Sequence, residues 1–72
     1  MSSLVDARGL SCPQPVLLTI REIKKLEKGE IVVLVDTDTA KENVSRAAIS
    51  EGWNVKSIEE DGMTYRIVIT KE

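Results

Sequence analysis

A chain of 72 residues is long enough for one domain and too short for two, so we expect a single domain over residues 1–72. Apolar residues make up 42% of the chain and charged residues 31%, a balance that excludes an intrinsically disordered chain. The formal net charge is -2, which argues against nucleic-acid binding, because proteins of that class usually carry a basic surplus. Aromatic residues make up only 3%, so the core must be built from Ile, Leu, Val and Ala.

The residue types that are rare or missing argue against several kinds of site. One cysteine rules out an internal disulfide, and the absence of histidine rules out a Cys-His dyad and a Ser-His-Asp triad. One cysteine without histidine also argues against zinc, and we expect neither a metal nor another cofactor. No apolar run approaches the roughly 20 residues of a membrane span, and residues 1–9 lack the apolar stretch of a signal peptide. These features predict a cytoplasmic protein with no membrane partner.

The first third of the chain predicts a strand followed by a helix. Residues 4–7 are short and partly apolar, and over residues 13–28 apolar residues recur at helical spacing. The expected buried stripe of the helix consists of Val16, Ile20 and Ile23, flanked by Leu17 and Leu26. Pro13 suits the first helical position, where a missing N–H loses no hydrogen bond, and Gly29 suits the position just after the helix.

The middle of the chain predicts a buried strand and a second helix. Residues 31–35 read IVVLV, a short β-branched run that is typical of a central strand. Thr39 and Glu42 have the spacing of a capping box, which predicts the start of the helix. The apolar stripe of this helix consists of Ala40, Val44, Ala47 and Ala48. Gly52 ends it, and Trp53 stands where a Schellman motif often places an apolar contact.

The last third predicts a β-hairpin around Asp61 and Gly62. A two-residue loop at these positions would put polar residues on the same face as the apolar residues of the last strand. A three-residue loop over residues 60–62 pairs Val55 with Ile67 instead, because one residue of slip exchanges the two faces. The apolar pattern therefore favours the three-residue loop, with Gly62 at the left-handed position of a bulge.

The order β-α-β-α-β-β predicts an α+β fold, a two-layer α/β sandwich. Right-handed crossovers place both helices on one face of a four-stranded mixed sheet. The other face has no helix to cover it, and we expect it to carry one parity of the IVVLV run together with Ile58 and Val68. Such a face indicates a partner surface or a weak homodimer, while scattered surface aliphatics remain an equal alternative.

The only cysteine and both prolines of the chain fall in residues 12–15, which read CPQP. Cys12 stands between a loop and the first helix, close to the N-cap position. Pro13 restricts the residue before it to extended angles, which holds Cys12 just outside the helix. Pro15 falls within the first turn, where its missing N–H would have no partner in any case.

This position predicts a reactive thiol. The thiolate is the nucleophilic form of cysteine, and the positive end of a helix favours an anion. Arg8 adds positive charge, whereas the prolines remove backbone donors, so we expect a field effect more than a full set of hydrogen bonds. An inert buried cysteine is the alternative, but the polar neighbours Ser11 and Gln14 favour the reactive role.

Residues 12–15 resemble the CPxP motif of the TusA/SirA-like sulfur-carrier family. The preceding run DARGL is similar to the lead-in of that family, which makes Arg8, Gly9, Pro13 and Pro15 the supporting motif around Cys12. The runs KENV and EGW further along the chain resemble the YedF branch, which is associated with selenium metabolism. The resemblance covers nearly the whole chain and agrees with the predicted order of elements.

The resemblance implies that Cys12 carries a sulfane sulfur as a persulfide in a sulfur relay. A cysteine desulfurase or another donor protein would load the sulfur, and a DsrE-like or other acceptor protein would take it. Exchange between thiolate and persulfide needs only a nucleophile, a leaving group and access, so the missing histidine is no obstacle. YedF-type proteins often carry a second, DsrE-like domain that this chain lacks, so sulfur is the expected cargo and selenium the alternative.

The first helix also predicts a docking surface. Its polar arc carries the basic residues Arg21, Lys24, Lys25 and Lys28. Leu18 is expected to project into the same arc, away from the apolar stripe. A basic surface with one exposed leucine, on the helix that begins beside Cys12, suits an acidic partner. An ordinary solvated helix face is the alternative interpretation.

Acidic residues at strand and loop ends show no pairing typical of general acid–base catalysis. They are Asp36, Asp38, Glu59, Glu60 and Asp61, and we expect capping and turn roles for them. The resemblance therefore implies a sulfurtransferase-type carrier rather than a stand-alone enzyme. The alternatives are a regulatory or protein-interaction domain without sulfur chemistry and, because the fold resembles the C-terminal domain of translation initiation factor 3, a nucleic-acid-binding domain.

Overall fold

The computed structural model of the protein describes residues 2–10, 14–26 and 28–71. Its elements follow the order β-α-β-α-β-β that the sequence predicts. They are β1 (Ser2–Asp6), α1 (Gln14–Leu26), β2 (Gly29–Val35), α2 (Asp38–Ser50), β3 (Asn54–Asp61) and β4 (Thr64–Lys71). Cys12 and Pro13 of the predicted site lie outside the described residues.

The four strands form one mixed sheet in the order β1-β2-β4-β3. β1 and β2 pair in parallel, whereas β4 pairs antiparallel with both β2 and β3. α1 packs over β1 and β2, α2 packs over β3 and β4, and the two helices contact each other. The predicted α+β sandwich, with both helices on one face of a four-stranded mixed sheet, is confirmed.

The core lies between the helices and the sheet. β2 forms its centre, because its alternate residues Ile31, Val33 and Val35 are fully buried. The other buried apolar residues are Val5, Ala7, Ile23, Ala40, Val44, Ala48, Trp53, Ile67 and Ile69. The prediction that leucine is one of the main core residues is wrong, since the described leucines are either exposed or only partly buried at the margin of the core.

α1 buries a different stripe from the predicted one. The buried residues are Pro15, Thr19 and Ile23, while Val16 and Ile20 are only partly buried. Thr19 tolerates burial because its hydroxyl donates a hydrogen bond to the carbonyl of Pro15 at 2.8 Å. The apolar pattern treated this threonine as polar and therefore missed the centre of the stripe. The helix also ends earlier than predicted, and Gly29 belongs to β2.

The start of α2 corrects the predicted capping box. Thr37 is the N-cap, and its hydroxyl accepts a hydrogen bond from the N–H of Ala40 at 3.1 Å. Thr39, which has the predicted spacing to Glu42, already lies within the helix. Two threonines stand two positions apart, and the capping-box spacing selected the wrong one.

The end of α2 confirms the predicted Schellman motif. Gly52 has a φ of 87°, and its N–H donates to the carbonyl of Ile49 at 3.0 Å. The N–H of Trp53 donates to the carbonyl of Ala48 at 2.9 Å, which completes the motif. The side chain of Trp53 is buried against the core, as the predicted apolar contact requires.

The β3–β4 hairpin has a different register from the predicted one. Asp61 pairs with Thr64, so the loop is the two-residue segment Gly62-Met63, and the φ of Gly62 is 65°. A register shift between Val55 and Ser57 then moves Val55 opposite Ile69. The three-residue loop is therefore wrong: a bulge inside β3, not a longer loop, brings the apolar residues of the two strands together.

The sheet face opposite the helices carries an apolar row. We call Leu4, Val32, Leu34 and Val68 the open face. Leu4 pairs with Val32, and Val32 pairs with Val68, so the row crosses three neighbouring strands. Ile58 is not part of it, because it pairs with the buried Ile67 and therefore lies on the helix side of the sheet.

Candidate functional site

One edge of the sheet gathers the segments on either side of the CPQP motif. β1 ends there at Asp6 and β2 ends there at Val35. β4 starts at the same edge, where its second residue, Tyr65, pairs with Val35. Both helices also begin at this edge, because each follows a strand that ends there. Residues 11–13 are joined to the edge on both sides, since Gln14 is the first residue of α1. The partial positive charges of two helix N-termini therefore lie at this edge of the sheet, and one of them belongs to the helix that follows residues 11–13.

The lead-in loop, residues 7–10, is tied to the end of β2. The N–H of Ala7 donates to the carbonyl of Leu34 at 2.8 Å, which extends the pairing of β1 with β2. The N–H of Gly9 donates to Oδ2 of Asp36 at 2.9 Å. Gly9 has a φ of 78°, and a Cβ at this position would meet no atom within 4 Å. The backbone angle, not crowding, therefore favours glycine here.

Arg8 binds the carboxylate of Asp6. Its Nε donates to Oδ1 at 2.9 Å, its Nη2 donates to Oδ2 at 2.8 Å, and its backbone N–H donates to Oδ1 at 3.2 Å. These hydrogen bonds lower the pKa of Asp6 to about 2 and raise the pKa of Arg8, to which Asp36 adds a smaller effect. The guanidinium is therefore paired with Asp6, and Asp36 acts on it only through its charge. The contact observed for Arg8 holds the lead-in loop, and its predicted effect on the thiol stays a prediction.

Side chains of α2 and β4 contact one another beside the turn between β2 and α2. Asp38 accepts a hydrogen bond from the hydroxyl of Tyr65 at 2.6 Å. Nζ of Lys41 lies 3.7 Å from Oδ1 of Asp38 and 4.7 Å from the centroid of the Tyr65 ring. The shared hydrogen bond lowers the pKa of Asp38 and raises the pKa of Tyr65 to about 12. The predicted turn role of Asp38 thus includes a contact with β4.

α1 leads away from the motif with an exposed basic surface. Pro15 lies in its first turn, as predicted, and is also buried, which the sequence did not indicate. Leu18 is partly buried and packs against the core, which corrects the predicted exposed leucine, whereas Leu17 is 55% exposed. We therefore define the basic face of α1 by the exposed helix residues Leu17, Arg21, Lys24 and Lys25, together with the exposed Lys28 just beyond the helix.

A shallow depression lies at the motif end of the basic face. Its volume is about 280 Å³, and it is lined by Leu10, Gln14, Leu17, Leu18 and Arg21. Leu10 and Gln14 are the described residues on either side of residues 11–13. An apolar depression with one arginine at its rim therefore borders the motif.

Two residues of the edge, Asp6 and Asp36, are missing from the predicted site. The spacing of Asp6 to Arg8 is a local signal for an ion pair within a tight loop, and it could have been read from the sequence. The bond of Asp36 to Gly9 joins residues 27 positions apart, and no local pattern indicates it. It depends on parallel pairing that brings the ends of β1 and β2 together.

Within residues 2–10, 14–26 and 28–71, no three acidic side chains come together as a metal ion would require. Neither described helix has the length and apolar character needed to cross a membrane.

Similarity to known proteins assigns the family. Residues 3–71 match the family model described as sulfurtransferase TusA. The chain is 40% identical over 68 residues to a proposed sulfur carrier protein of Methanocaldococcus jannaschii, covering 93% of this chain and 91% of that protein. It is 35% identical over 68 residues to the proposed sulfur carrier protein YedF of Escherichia coli K12, covering 93% of this chain and 88% of that protein.

A solved structure agrees with this assignment. The crystal structure of a SirA-like protein from Desulfitobacterium hafniense matches with a TM-score of 0.86 at 28% identity, covering 94% of this chain and 95% of that chain. The family match spans the lead-in loop, residues 11–13 and α1, so it includes the whole edge around the motif. The resemblance inferred from residues 12–15 is therefore confirmed, and the chain belongs to the TusA family of sulfurtransferases.

Proposed function

We propose that this chain is a sulfur carrier that accepts and passes on sulfane sulfur as a persulfide on Cys12. One observation carries the proposal: the only cysteine falls between Gly9, held by Asp36, and Gln14, the first residue of α1. A restrained loop before the thiol and a helix N-terminus after it are what a presented nucleophile needs. The family and its sulfur-carrier relatives support the same reading.

The transfer is an exchange between sulfur atoms in which electrons are conserved. The Cys12 thiolate attacks the outer sulfur of a donor persulfide, a new S–S bond forms, and the S–S bond of the donor breaks. The donor leaves as a thiolate, and Cys12 then carries –S–SH. An acceptor thiolate attacks the outer sulfur in the same way and releases the Cys12 thiolate. One cysteine therefore suffices for both steps.

The helix, rather than Arg8, is proposed to favour the thiolate. The N-terminus of α1 carries partial positive charge, and no acidic residue in its first turn opposes that charge. The charge of Arg8 is shared with Asp6 and Asp36, so it contributes less than a free guanidinium would. Pro15 has no N–H to donate, so the stabilisation is a field effect more than a set of hydrogen bonds.

The partners are proposed to dock on the basic face of α1. A cysteine desulfurase or another donor protein would load the sulfur, and a DsrE-like or other acceptor protein would take it. The exposed cations suit an acidic partner surface, and the depression beside Leu17 and Leu18 suits one apolar side chain. The depression borders the motif and the basic face runs from it along α1, so a partner docked on both would have its own cysteine within reach of Cys12.

A loading experiment tests the proposal. The purified protein is incubated with a cysteine desulfurase and cysteine, and its intact mass is measured. We expect a gain of the mass of one sulfur atom, which a thiol reductant reverses and which Cys12→Ser does not show. A wild-type protein that gains no mass beside an active desulfurase contradicts the proposal. Repeating the incubation with a selenium donor distinguishes the two cargoes, because sulfur and selenium differ in mass.

A protein-interaction domain without sulfur chemistry is the second candidate. The open face favours it, because Leu4 is 64% exposed at the β1 end of an apolar row. This candidate predicts no gain of mass in the loading experiment and unchanged partner binding in Cys12→Ser.

A further inference from the structure

We propose that Asp36 is a positioning residue for sulfur transfer, because its carboxylate holds the N–H of Gly9 and so restrains the loop that leads into Cys12. The inference rests on the proposed function, since it concerns the same thiol. The bond from the Gly9 N–H to Oδ2 of Asp36 is 2.9 Å long. It lies three residues before Cys12, closer along the chain than the bonds made by Ala7 and Arg8.

The Asp36 carboxylate is presented from a turn that is fixed on both sides. Val35, the residue before it, is fully buried at the end of β2. Thr37, the residue after it, accepts the N–H of Ala40 on its hydroxyl and the N–H of Lys41 on its carbonyl at 3.0 Å. The position of Asp36 is therefore set by the core and by α2, not by the loop that it binds.

This bond is the direct hold on Gly9, while its neighbours Arg8 and Leu10 are held by Asp6 and by packing against the core. Arg8 and Gly9 are both exposed, and glycine has no side chain that could anchor it in the core. Its φ of 78° lies in a region that glycine enters and leaves without steric cost, so the backbone alone does not hold the loop. Without the Asp36 acceptor, the chain entering Cys12 would sample more positions. A displacement of about 1 Å can slow a bond-forming step up to about 100-fold.

The charge of Asp36 and its hydrogen bond act in opposite directions, so they can be separated. A negative charge near the thiolate disfavours that ion, and removing the charge alone lowers the thiol pKa. Asp36→Asn removes the charge and keeps an acceptor oxygen at the same reach. Asp36→Ala removes both the charge and the acceptor.

The test compares these two variants with the control Asp61→Ala, which removes the same charge from an exposed hairpin residue. Two quantities are measured: the rate of sulfur transfer from a loaded cysteine desulfurase, and the pH dependence of alkylation of the single thiol by iodoacetamide. We expect Asp36→Ala to accept sulfur roughly tenfold more slowly than wild type, and Asp36→Asn and Asp61→Ala to stay near the wild-type rate. Both Asp36 variants are expected to lower the pH midpoint of alkylation.

Three outcomes overturn the inference. The first is an Asp36→Ala protein with wild-type circular dichroism and melting temperature that accepts sulfur at the wild-type rate. The second is an Asp36→Asn protein as slow as Asp36→Ala, because the acceptor would then be irrelevant. If wild-type protein accepts no sulfur, the proposed function fails. The alkylation rate at a pH above the alkylation midpoint then still tests whether Asp36 restrains the loop before Cys12. If the loop is released in Asp36→Ala, only this variant is alkylated faster than wild type. Equal alkylation rates in wild type, Asp36→Ala, Asp36→Asn and Asp61→Ala are the third outcome that overturns the inference.

Discussion

Tyr65 connects two elements through one side chain. It belongs to β4, and its hydroxyl donates to Asp38 at the start of α2. Lys41 lies near both groups, 3.7 Å from the carboxylate and 4.7 Å from the ring centroid. The turn that carries Asp36 is therefore fastened to the sheet at the edge where the motif is joined to the fold.

The ionisation of Tyr65 reports on this contact. The hydrogen bond to Asp38 raises its pKa from 10.0 to about 12, because the folded state favours the protonated phenol. The stabilisation from this bond is complete below about pH 10 and is lost as the pH rises through about 12. Tyr65 is the only tyrosine, so the ultraviolet absorbance of phenolate measures it directly. We expect a midpoint well above 10.0 in wild type and a lower midpoint in Asp38→Asn.

A wild-type midpoint at the ordinary tyrosine value would contradict this contact. Glu42→Gln serves as the control, because it removes one charge from an exposed residue of the same helix. Its midpoint is expected to equal that of wild type.

Asp36 is a residue whose role the sequence indicates only in part. Its position between a buried strand and a helix start predicts a turn residue, and the structure gives it a bond to Gly9 in addition. Reactivity at Cys12 is inferred from a local feature, a cysteine followed by prolines, and a local feature can be read from sequence. The Asp36 contact needs the parallel register of β1 with β2, which a single sequence does not provide.

Elements whose ends are set by neighbouring residues were predicted best. The Schellman motif at Gly52 and Trp53 forms within six residues and follows from residue types. The predicted hairpin register is wrong because no turn residue in the sequence indicates the register shift between Val55 and Ser57. The predicted buried stripe of α1 is wrong at Thr19, because the burial of this residue depends on a hydrogen bond to the backbone of its own helix.

α1 carries a prediction about docking. Replacing Lys24 by Glu reverses one charge on the basic face, and replacing Arg46 by Glu reverses one charge on the exposed side of α2 as a matched control. We expect Lys24→Glu to load sulfur about threefold more slowly at low salt, because exposed charges mainly change the rate of association. The difference should shrink as salt is added. Loading rates from a desulfurase, measured across a salt series, provide the comparison.

Equal loading by the Lys24→Glu and Arg46→Glu proteins at every salt concentration would contradict docking on the basic face. The depression beside Leu17 gives an independent check. Leu17→Ser is expected to slow loading by protein donors without changing loading from a small-molecule persulfide, since only a protein donor fills the depression.

The shape of the whole molecule limits what the open face can do. The principal extents are only 30 × 21 × 17 Å, and the open face offers four apolar side chains, whereas a standard interface uses about 20–30 residues a side. The apolar row of Leu4, Val32 and Val68 occupies only part of that face. Self-association through this surface is therefore expected to be weak.

A concentration series tests the open face. We expect a monomer at micromolar concentration by sedimentation equilibrium, with dimer detectable only near millimolar concentration. Leu4→Lys is expected to abolish that dimer, because it places a charge at the most exposed residue of the apolar row. Met63→Lys is the control, since Met63 is 84% exposed in the hairpin loop, away from the row. A stable micromolar dimer that Leu4→Lys leaves unchanged would contradict this assignment.

The central claim is that the sulfur resides on Cys12. Trypsin cleaves after Arg8 and Arg21, so the only cysteine lies in the peptide of residues 9–21. After incubation with a cysteine desulfurase and cysteine, and alkylation of the product, the mass of this peptide is measured. The account predicts an alkylated peptide heavier by one sulfur atom than the peptide from unloaded protein. An unchanged mass for this peptide, with the added sulfur elsewhere or absent, would contradict the account.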